Sequence, residues 1–204
     1  AYVGMSANSI GDILVGRQSH PFTDNVATTA SIFEVYGGSS SFSYGTRSSN
    51  SIAYSKSLGQ VSINALGVVD GASGKDGVDS YEWSASVDVV DGVSISGGLA
   101  SDEANDTFYY GVGMTTEISD DLSIASSYTM KDAATDLTAW EVAGSFKMLS
   151  VGYGDKEGTG AFTTVGLSHD LSADLKLYAE TEMADNEGSA TDTHSWSIGT
   201  KFSF

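Results

Sequence analysis

Residues 193–204, THSWSIGTKFSF, place His194, Trp196, Ile198, Thr200, Phe202 and Phe204 on one parity and Ser195, Ser197, Gly199, Lys201 and Ser203 on the other. A strand sends successive side chains to opposite faces, so this segment has one broad apolar face and one small, polar face. The same split recurs in SYEWSASVDVV (80–90), DTFYYGVGMTTEI (106–118), DDLSIASSYTM (120–130) and ADLKLYAETEMA (173–184). The periodicity predicts an all-β chain of about thirteen strands, each roughly nine to eleven residues long, the length a tilted strand needs to cross a bilayer. No helical period of comparable strength occurs.

A soluble sandwich would turn the apolar parity inward, whereas a membrane barrel turns it toward lipid and lines its lumen with the polar parity. Two features favour the barrel. The connectors alternate: SLGQ (57–60), VVDGV (89–93), SDDL (119–122), KMLS (147–150) and DLSADL (170–175) are short, while DGASGKDGVDS (70–80), ASDEAND (100–106), KDAATD (131–136), DKEGTG (155–160) and ADNEGSATDT (184–193) are mostly longer and acidic. Short turns on one side and longer loops on the other is the layout of an outer-membrane barrel. Aromatics such as Tyr81, Trp83, Phe108, Tyr128, Trp140, Phe146 and Trp196 also sit near strand ends on the apolar parity, as girdles at the two membrane interfaces require.

Composition narrows the reading further. The 204 residues fit one β domain, 1–204, and the single proline leaves long stretches free to pair as strands. There is no cysteine, so neither disulfides nor thiolate metal sites are available. A net charge of −18 argues against nucleic acid as a partner. His20, His169 and His194 are scattered, without H-E-x-x-H or G-x-S-x-G, so no enzyme, metal or cofactor is expected. An acid, serine and histidine brought together only in space stays open at this level. The acids of 102–106 and 184–193 lack ordered ligand spacing, which favours solvated loops over divalent-cation sites.

One connector breaks the rhythm. After GDILVGRQ (11–18) come about thirty residues without clean alternation, and loops of that length inside a compact fold are usually functional. The runs AYVGMSANSIGDILVGRQSHPF and RSSNSIAYSK (47–56), with a terminal strand ending in Phe, resemble the general porins of Gram-negative bacteria. The resemblance implies a transmembrane antiparallel β-barrel with about 13 strands present of 16. GDILVGRQ would be the fifth strand and THSWSIGTKFSF the sixteenth, which leads to the expectation that the chain is incomplete at its N-terminus. It further implies that 19–49 is the constriction loop folded into the pore. The partners it implies are outer-membrane lipid and lipopolysaccharide, sister subunits in a homotrimer, and the barrel-assembly machinery, which reads the terminal Phe204.

A porin selects by pore radius and by the field at its narrowest point. By resemblance, the loop acids Asp24 and Glu34 would face the wall bases Arg17 and Arg47 across the constriction. The alternatives are a subunit interface for Arg17 and simple pairing with a loop acid for Arg47. Glu82, Asp88, Glu117, Glu141, Lys147, Lys176, Glu180, Glu182 and Lys201 carry the polar parity and are expected to line the lumen. Acids outnumber bases there, so a passive diffusion channel for ions and small hydrophilic solutes would prefer cations. A substrate-biased channel, or a barrel with a structural or adhesive role, is the alternative.

Overall fold

In the computed structural model the described residues are 1–37, 41–69, 77–103, 105–188 and 191–203. Thirteen strands follow in order: β1 Tyr2–Ala7, β2 Gly11–Ser19, β3 Arg47–Leu58, β4 Val61–Val68, β5 Ser80–Val90, β6 Val93–Asp102, β7 Thr107–Ser119, β8 Leu122–Asp132, β9 Leu137–Phe146, β10 Leu149–Lys156, β11 Gly160–Ser172, β12 Leu175–Ala184 and β13 Thr193–Phe202. They form one sheet in which every strand pairs antiparallel with its sequence neighbours, in the order β1 to β13. The chain is a transmembrane antiparallel β-barrel wall, as the alternation predicts. Its only helical piece among the described residues lies in the connector between β2 and β3.

The connectors separate by side. Joins of two residues link β3 to β4, β5 to β6, β7 to β8, β9 to β10 and β11 to β12. Gly59 (φ 65°) and Gly92 (φ 77°) supply the left-handed backbone that such tight turns demand. The other end carries the segment 20–46 and the acidic loops.

Away from the register shifts at Gly16/Gln18, Asp88/Val90, Glu117/Ser119 and Asp170/Ser172, register keeps one parity on each face, because a slip by one residue would exchange them. Glu82 stands opposite Ala100, Ala100 opposite Tyr109, and Gly111 opposite Thr129, all on the inner face. Trp83, Leu99, Tyr110 and Met130 line up behind them on the outer face. That outer face exposes Val112, Val142, Val151, Leu167, Leu177 and Ile198, a continuous apolar surface that would be untenable in water. Trp140 and Tyr153 meet edge to face with centroids 5.4 Å apart near the loop end, while Phe146 and Phe202 mark the end with the short turns. Burying an apolar core thus happens in two places: against lipid outside, and under the inward segment inside.

The face assignment has a direct consequence. Val112→Arg, on the outer face near the middle of β7, should destabilise the barrel in lipid by about 2–4 kcal/mol, and Thr115→Arg on the inner face should cost far less. Reversible urea unfolding from liposomes measures both, and equal losses would mean the faces are reversed.

Candidate functional site

The chain leaves the wall at Ser19 and returns at Arg47, and the described residues between them, 20–37 and 41–46, lie against the inner face. Pro21 opens its helical stretch, where a missing N–H and a fixed φ cost nothing. A π-helical turn follows at Thr23–Ala27. The Thr28 hydroxyl donates to the Thr23 carbonyl at 3.0 Å and the Thr29 hydroxyl to that of Val26 at 2.9 Å, which ends the turn. Phe22, Val26 and Ala27 are buried with Ala100 of the wall, and Tyr44 and Tyr109 pack around them.

Polar anchors flank this apolar root. His20 bonds through Nδ1 to a Glu82 carboxylate oxygen and through Nε2 to the Ser48 hydroxyl at 2.9 Å. The second Glu82 oxygen accepts the Phe22 N–H at 3.1 Å, and Asn25 donates its side-chain amide to Ser84 at 3.0 Å. Ser48, His20 and Glu82 thus form the spatial acid, histidine and serine cluster that sequence alone left open. The histidine and the carboxylate are sealed at 1% and 2% exposure, and both Glu82 oxygens are committed. Their work is to pin the loop to β3 and β5.

Glycines make room for the segment. A Cβ on Gly111 would stand 2.9 Å from Val26 Cγ1, and one on Gly113 would collide with the Thr29 hydroxyl. On Gly152 and Gly166 it would stand 2.8 and 3.1 Å from the Phe33 ring. The inner faces of β7, β10 and β11 are therefore shaved to let backbone and ring lie close.

The far part is held by charge. Glu34, Val35 and Tyr36 direct three successive backbone N–H groups at the Glu180 carboxylate, at 2.7, 2.9 and 3.3 Å. Consecutive amides converging on an anion form a nest. The Glu34 carboxylate itself lies between Lys201 at 2.8 Å and Lys176 at 3.1 Å. The Lys201 bond holds its pKa below the ordinary carboxylate range, partial burial opposes that, and Lys176 adds to the lowering. Beyond the tip, Thr129 accepts the Phe42 N–H at 2.8 Å. Lys156 donates to the Ser41 carbonyl at 3.1 Å and lies 4.6 Å from the centre of the Phe42 ring.

The residues expected at a constriction divide into two places. Arg17, Arg47 and Asp24 border one polar cavity of about 570 Å³ with Asn25, Asn64 and Tyr2, and no ion pair joins them among the described residues. Glu34 lies with Lys176 and Lys201 against β12 and β13 instead. Of the expected lumen-lining acids, Glu82, Glu141 and Glu180 are buried at 2%, 0% and 7%, so they face the covered interior rather than open lumen. Glu182 bonds the Thr164 hydroxyl at 3.1 Å. Asp88 and Glu117 lie on the inner parity near the short turns, and Lys147 occupies a turn with φ 54° rather than a strand, 3.9 Å from Asp121. Phe204, the expected assembly signal, lies outside the described residues. Sequence reasoning missed His20, Thr129 and Lys156 as anchors. Polar parity marked Thr129 as a wall residue and Lys156 was read in the loop 155–160, and nothing local said that a distant loop would reach either.

A wall of membrane-spanning antiparallel strands, apolar outside and polar inside with a connector laid along its inner face, defines an outer-membrane channel. The chain belongs to the Gram-negative porin family, whose model matches residues 1–204. It lies in the outer membrane of Gram-negative bacteria and provides a channel for small solutes. Among solved structures it is similar to outer-membrane-expressed OmpT of Vibrio cholerae, with 18% identity and a TM-score of 0.75, covering 98% of this chain and 79% of that one. It is also similar to Salmonella typhi OmpF in complex with daunomycin, with 11% identity and a TM-score of 0.78, covering 98% and 77%. A third is a triple mutant of the Rhodopseudomonas blastica porin, with 18% identity and a TM-score of 0.72, covering 98% and 75%. A comparison with curated protein sequences finds no significant match.

The Glu34 clasp sets a pH dependence. A carboxyl acidified by the fold contributes stability that is present above its unfolded pKa, about 4.3, and is lost as pH falls through the lower folded value. Carbon NMR of the Glu34 carboxyl should therefore give a midpoint below the ordinary range, and Lys201→Ala should move it upward.

Proposed function

We propose that this porin is a general diffusion channel for ions and small hydrophilic solutes, with 19–49 as its constriction loop and a preference for cations. The observation that carries the reading is the connector held along the inner face, with Arg17, Arg47 and Asp24 bordering one polar cavity. Opposed charges on two sides of a narrow passage impose a transverse field that orders water and penalises solutes unable to align with it. Passage then depends on size and dipole rather than on a fitted site. The transport is passive and needs no catalytic group.

Cation preference is supported by the charges that are not committed to the loop. Asp88, Asp91, Glu117, Asp120 and Asp121 border two adjoining cavities at the end with the short turns, where Lys147 is the one basic neighbour among the lining residues. Acids lining a water-filled mouth raise the local concentration of cations. A homotrimer is proposed from family membership, together with a structural neighbour whose title describes OmpT in a trimer form, at 17% identity and a TM-score of 0.72, covering 98% of this chain and 79% of that one. Lipid and lipopolysaccharide contact the apolar outer face, and the barrel-assembly machinery reads Phe204.

Reversal potentials across a salt gradient in planar bilayers test the selectivity. The protein should favour cations, Arg17→Ser with Arg47→Ser should strengthen that preference, and Asp24→Asn should weaken it. Anion selectivity in the unaltered protein would overturn the reading. Deleting Phe204 should lower the yield of inserted barrel while leaving the conductance of inserted molecules unchanged, which single-channel recording after assisted insertion measures.

A further inference from the structure

The inner-face glycines Gly111 and Gly152 make room for the inward segment, but Gly67 on the outer face of β4 has no such neighbour. A Cβ there would meet nothing nearer than Val78, at 3.9 Å. With Ala65 it leaves the outward side of β4 low. In register, Ile52 and Tyr54 of β3 stand on one side of these two small residues and Tyr81 and Trp83 of β5 on the other. The result is an apolar furrow of about 450 Å³, along which Ile52, Tyr81 and Trp83 are exposed. Its walls are two strand spacings apart, about 10 Å, and its floor continues past Ala65 to Ile63. Opposite Ile63 lies Lys56, the one charged side chain among the registered outward positions of β3, β4 and β5. A lysine on a lipid-facing wall is costly unless its stem carries the ammonium to the interface. Here the stem crosses Gly11, and the ammonium donates to the Ser9 carbonyl in the β1–β2 turn at 2.6 Å. Tyr54 runs the same way, its hydroxyl donating to the Ile10 carbonyl at 2.9 Å. The ammonium is thereby held at the level of the short turns, with Ser9 taking one of its three donors.

We propose that the furrow and Lys56 form a site for an anionic glycerophospholipid of the leaflet at the turn end. One acyl chain lies along Ala65 and Gly67, and the phosphate meets the Lys56 ammonium. This rests on the lipid-contacting reading of the outer face, to which it adds a place and a headgroup charge. A single ammonium at the interface favours a net negative headgroup over a zwitterionic one, whose own ammonium offsets its phosphate. The furrow adds contact for a hydrocarbon chain but does not distinguish headgroups, so preference comes from Lys56 and seating from the small residues. Among the registered strand residues that face outward at the turn end of β6 to β13 there is no carboxylate. The strand surface of a second copy therefore offers Lys56 no counter-charge, whereas a lipid phosphate does.

Trp83, on the wall of the furrow, reports the occupant through quenching by brominated acyl chains. The protein carrying Trp140→Phe and Trp196→Phe is inserted into phosphatidylcholine vesicles with a minor fraction of lipid brominated at mid-chain. Brominated phosphatidylglycerol should quench Trp83 as effectively as about five times its amount of brominated phosphatidylcholine, the worth of one lysine beside an anionic headgroup. The preference should vanish in Lys56→Gln, which removes the charge and keeps a polar side chain. Raised salt should weaken it in the protein with Lys56 intact, which decides the matter if the glutamine variant fails to fold. Gly67→Leu, which fills the furrow, should reduce quenching by both lipids. A companion protein that keeps only Trp140, through Trp83→Phe and Trp196→Phe, should show no headgroup preference. Equal quenching of Trp83 by the two lipids, a preference insensitive to Lys56→Gln or to salt, quenching unchanged by Gly67→Leu, or the same preference at Trp140 would each overturn the site. Quenching of Trp140 while Trp83 escapes both lipids would give the furrow to a second copy of the chain and overturn it as well. Failure of either lipid to quench either tryptophan would sink the lipid-contacting reading of the outer face itself.

Discussion

A backbone N–H withdrawn from bulk water must find an acceptor, and this molecule has to meet that requirement twice. In the wall the ladder does it, since each strand bonds to its neighbours and leaves no lipid-facing polar backbone between them. Among the described residues of 20–46 the ladder ends at the bond from the His20 N–H to the Thr46 carbonyl. The irregular backbone beyond it meets some amides within itself, at Asp24, Thr28, Thr29, Ser31 and Ile32, and offers others to side chains of the wall: Glu82 for Phe22, Glu180 for Glu34 to Tyr36, and Thr129 for Phe42. Leaving one such group unpaired costs about 1–3 kcal/mol, comparable to a sizeable share of a domain's net stability. The wall residues that answer these amides come from β5, β8 and β12, so the loop and most of the sheet specify each other.

Shape has to agree with that pairing. Carboxylates on the wall can reach loop amides only if the loop lies close, and close approach requires glycine where Val26, Thr29 and Phe33 rest. The glycines of β7, β10 and β11 therefore act with the acids of β5 and β12 rather than independently. A side chain at Gly113 or Gly152 would lift the segment and lengthen bonds made several strands away. This coupling explains why small and acidic residues share the inner parity: the small ones form the seat and the acidic ones fasten what sits there.

The wall was legible in the sequence because period-two alternation is local, and β5, β7, β8, β12 and β13 occupy the stretches in which it was read. The two-sided arrangement of turns and loops was equally local. The loop's path was not. Parity places Glu82 and Glu180 on the inner face but is silent on what covers them, and a stretch without periodicity gives no direction for the chain. Hence both acids read as open lumen when they are buried anchors. Glu34 likewise read as a partner for Arg17 and Arg47, whereas Lys176 and Lys201 take it, residues more than 140 positions away in sequence. Lys147 was misplaced for a simpler reason, since two-residue turns permit a left-handed backbone at a non-glycine residue that strand parity cannot foresee.

Net charge is therefore a poor guide to the field inside such a channel. The total of −18 counts carboxylates that differ in what they face. Glu82 and Glu180 are bound to loop amides and sealed from the passage, and the Glu34 carboxylate is shared by two ammonium groups. Asp88, Glu117 and their neighbours lie at the turn end, while Arg17, Arg47 and an exposed Asp24 border a cavity toward the loop end, where no ion pair joins them among the described residues. With the committed acids set aside, the remaining ones gather at the two ends, Asp88, Asp91, Glu117, Asp120 and Asp121 by the short turns and Asp132, Asp136, Glu157 and Asp185 by the loops. Screening over roughly 8 Å at physiological ionic strength keeps these zones largely separate. Under the proposed channel reading, selectivity would have two stages, accumulation by sign at the mouth and discrimination by orientation at the arginines, and the same fold could alter one without disturbing the other.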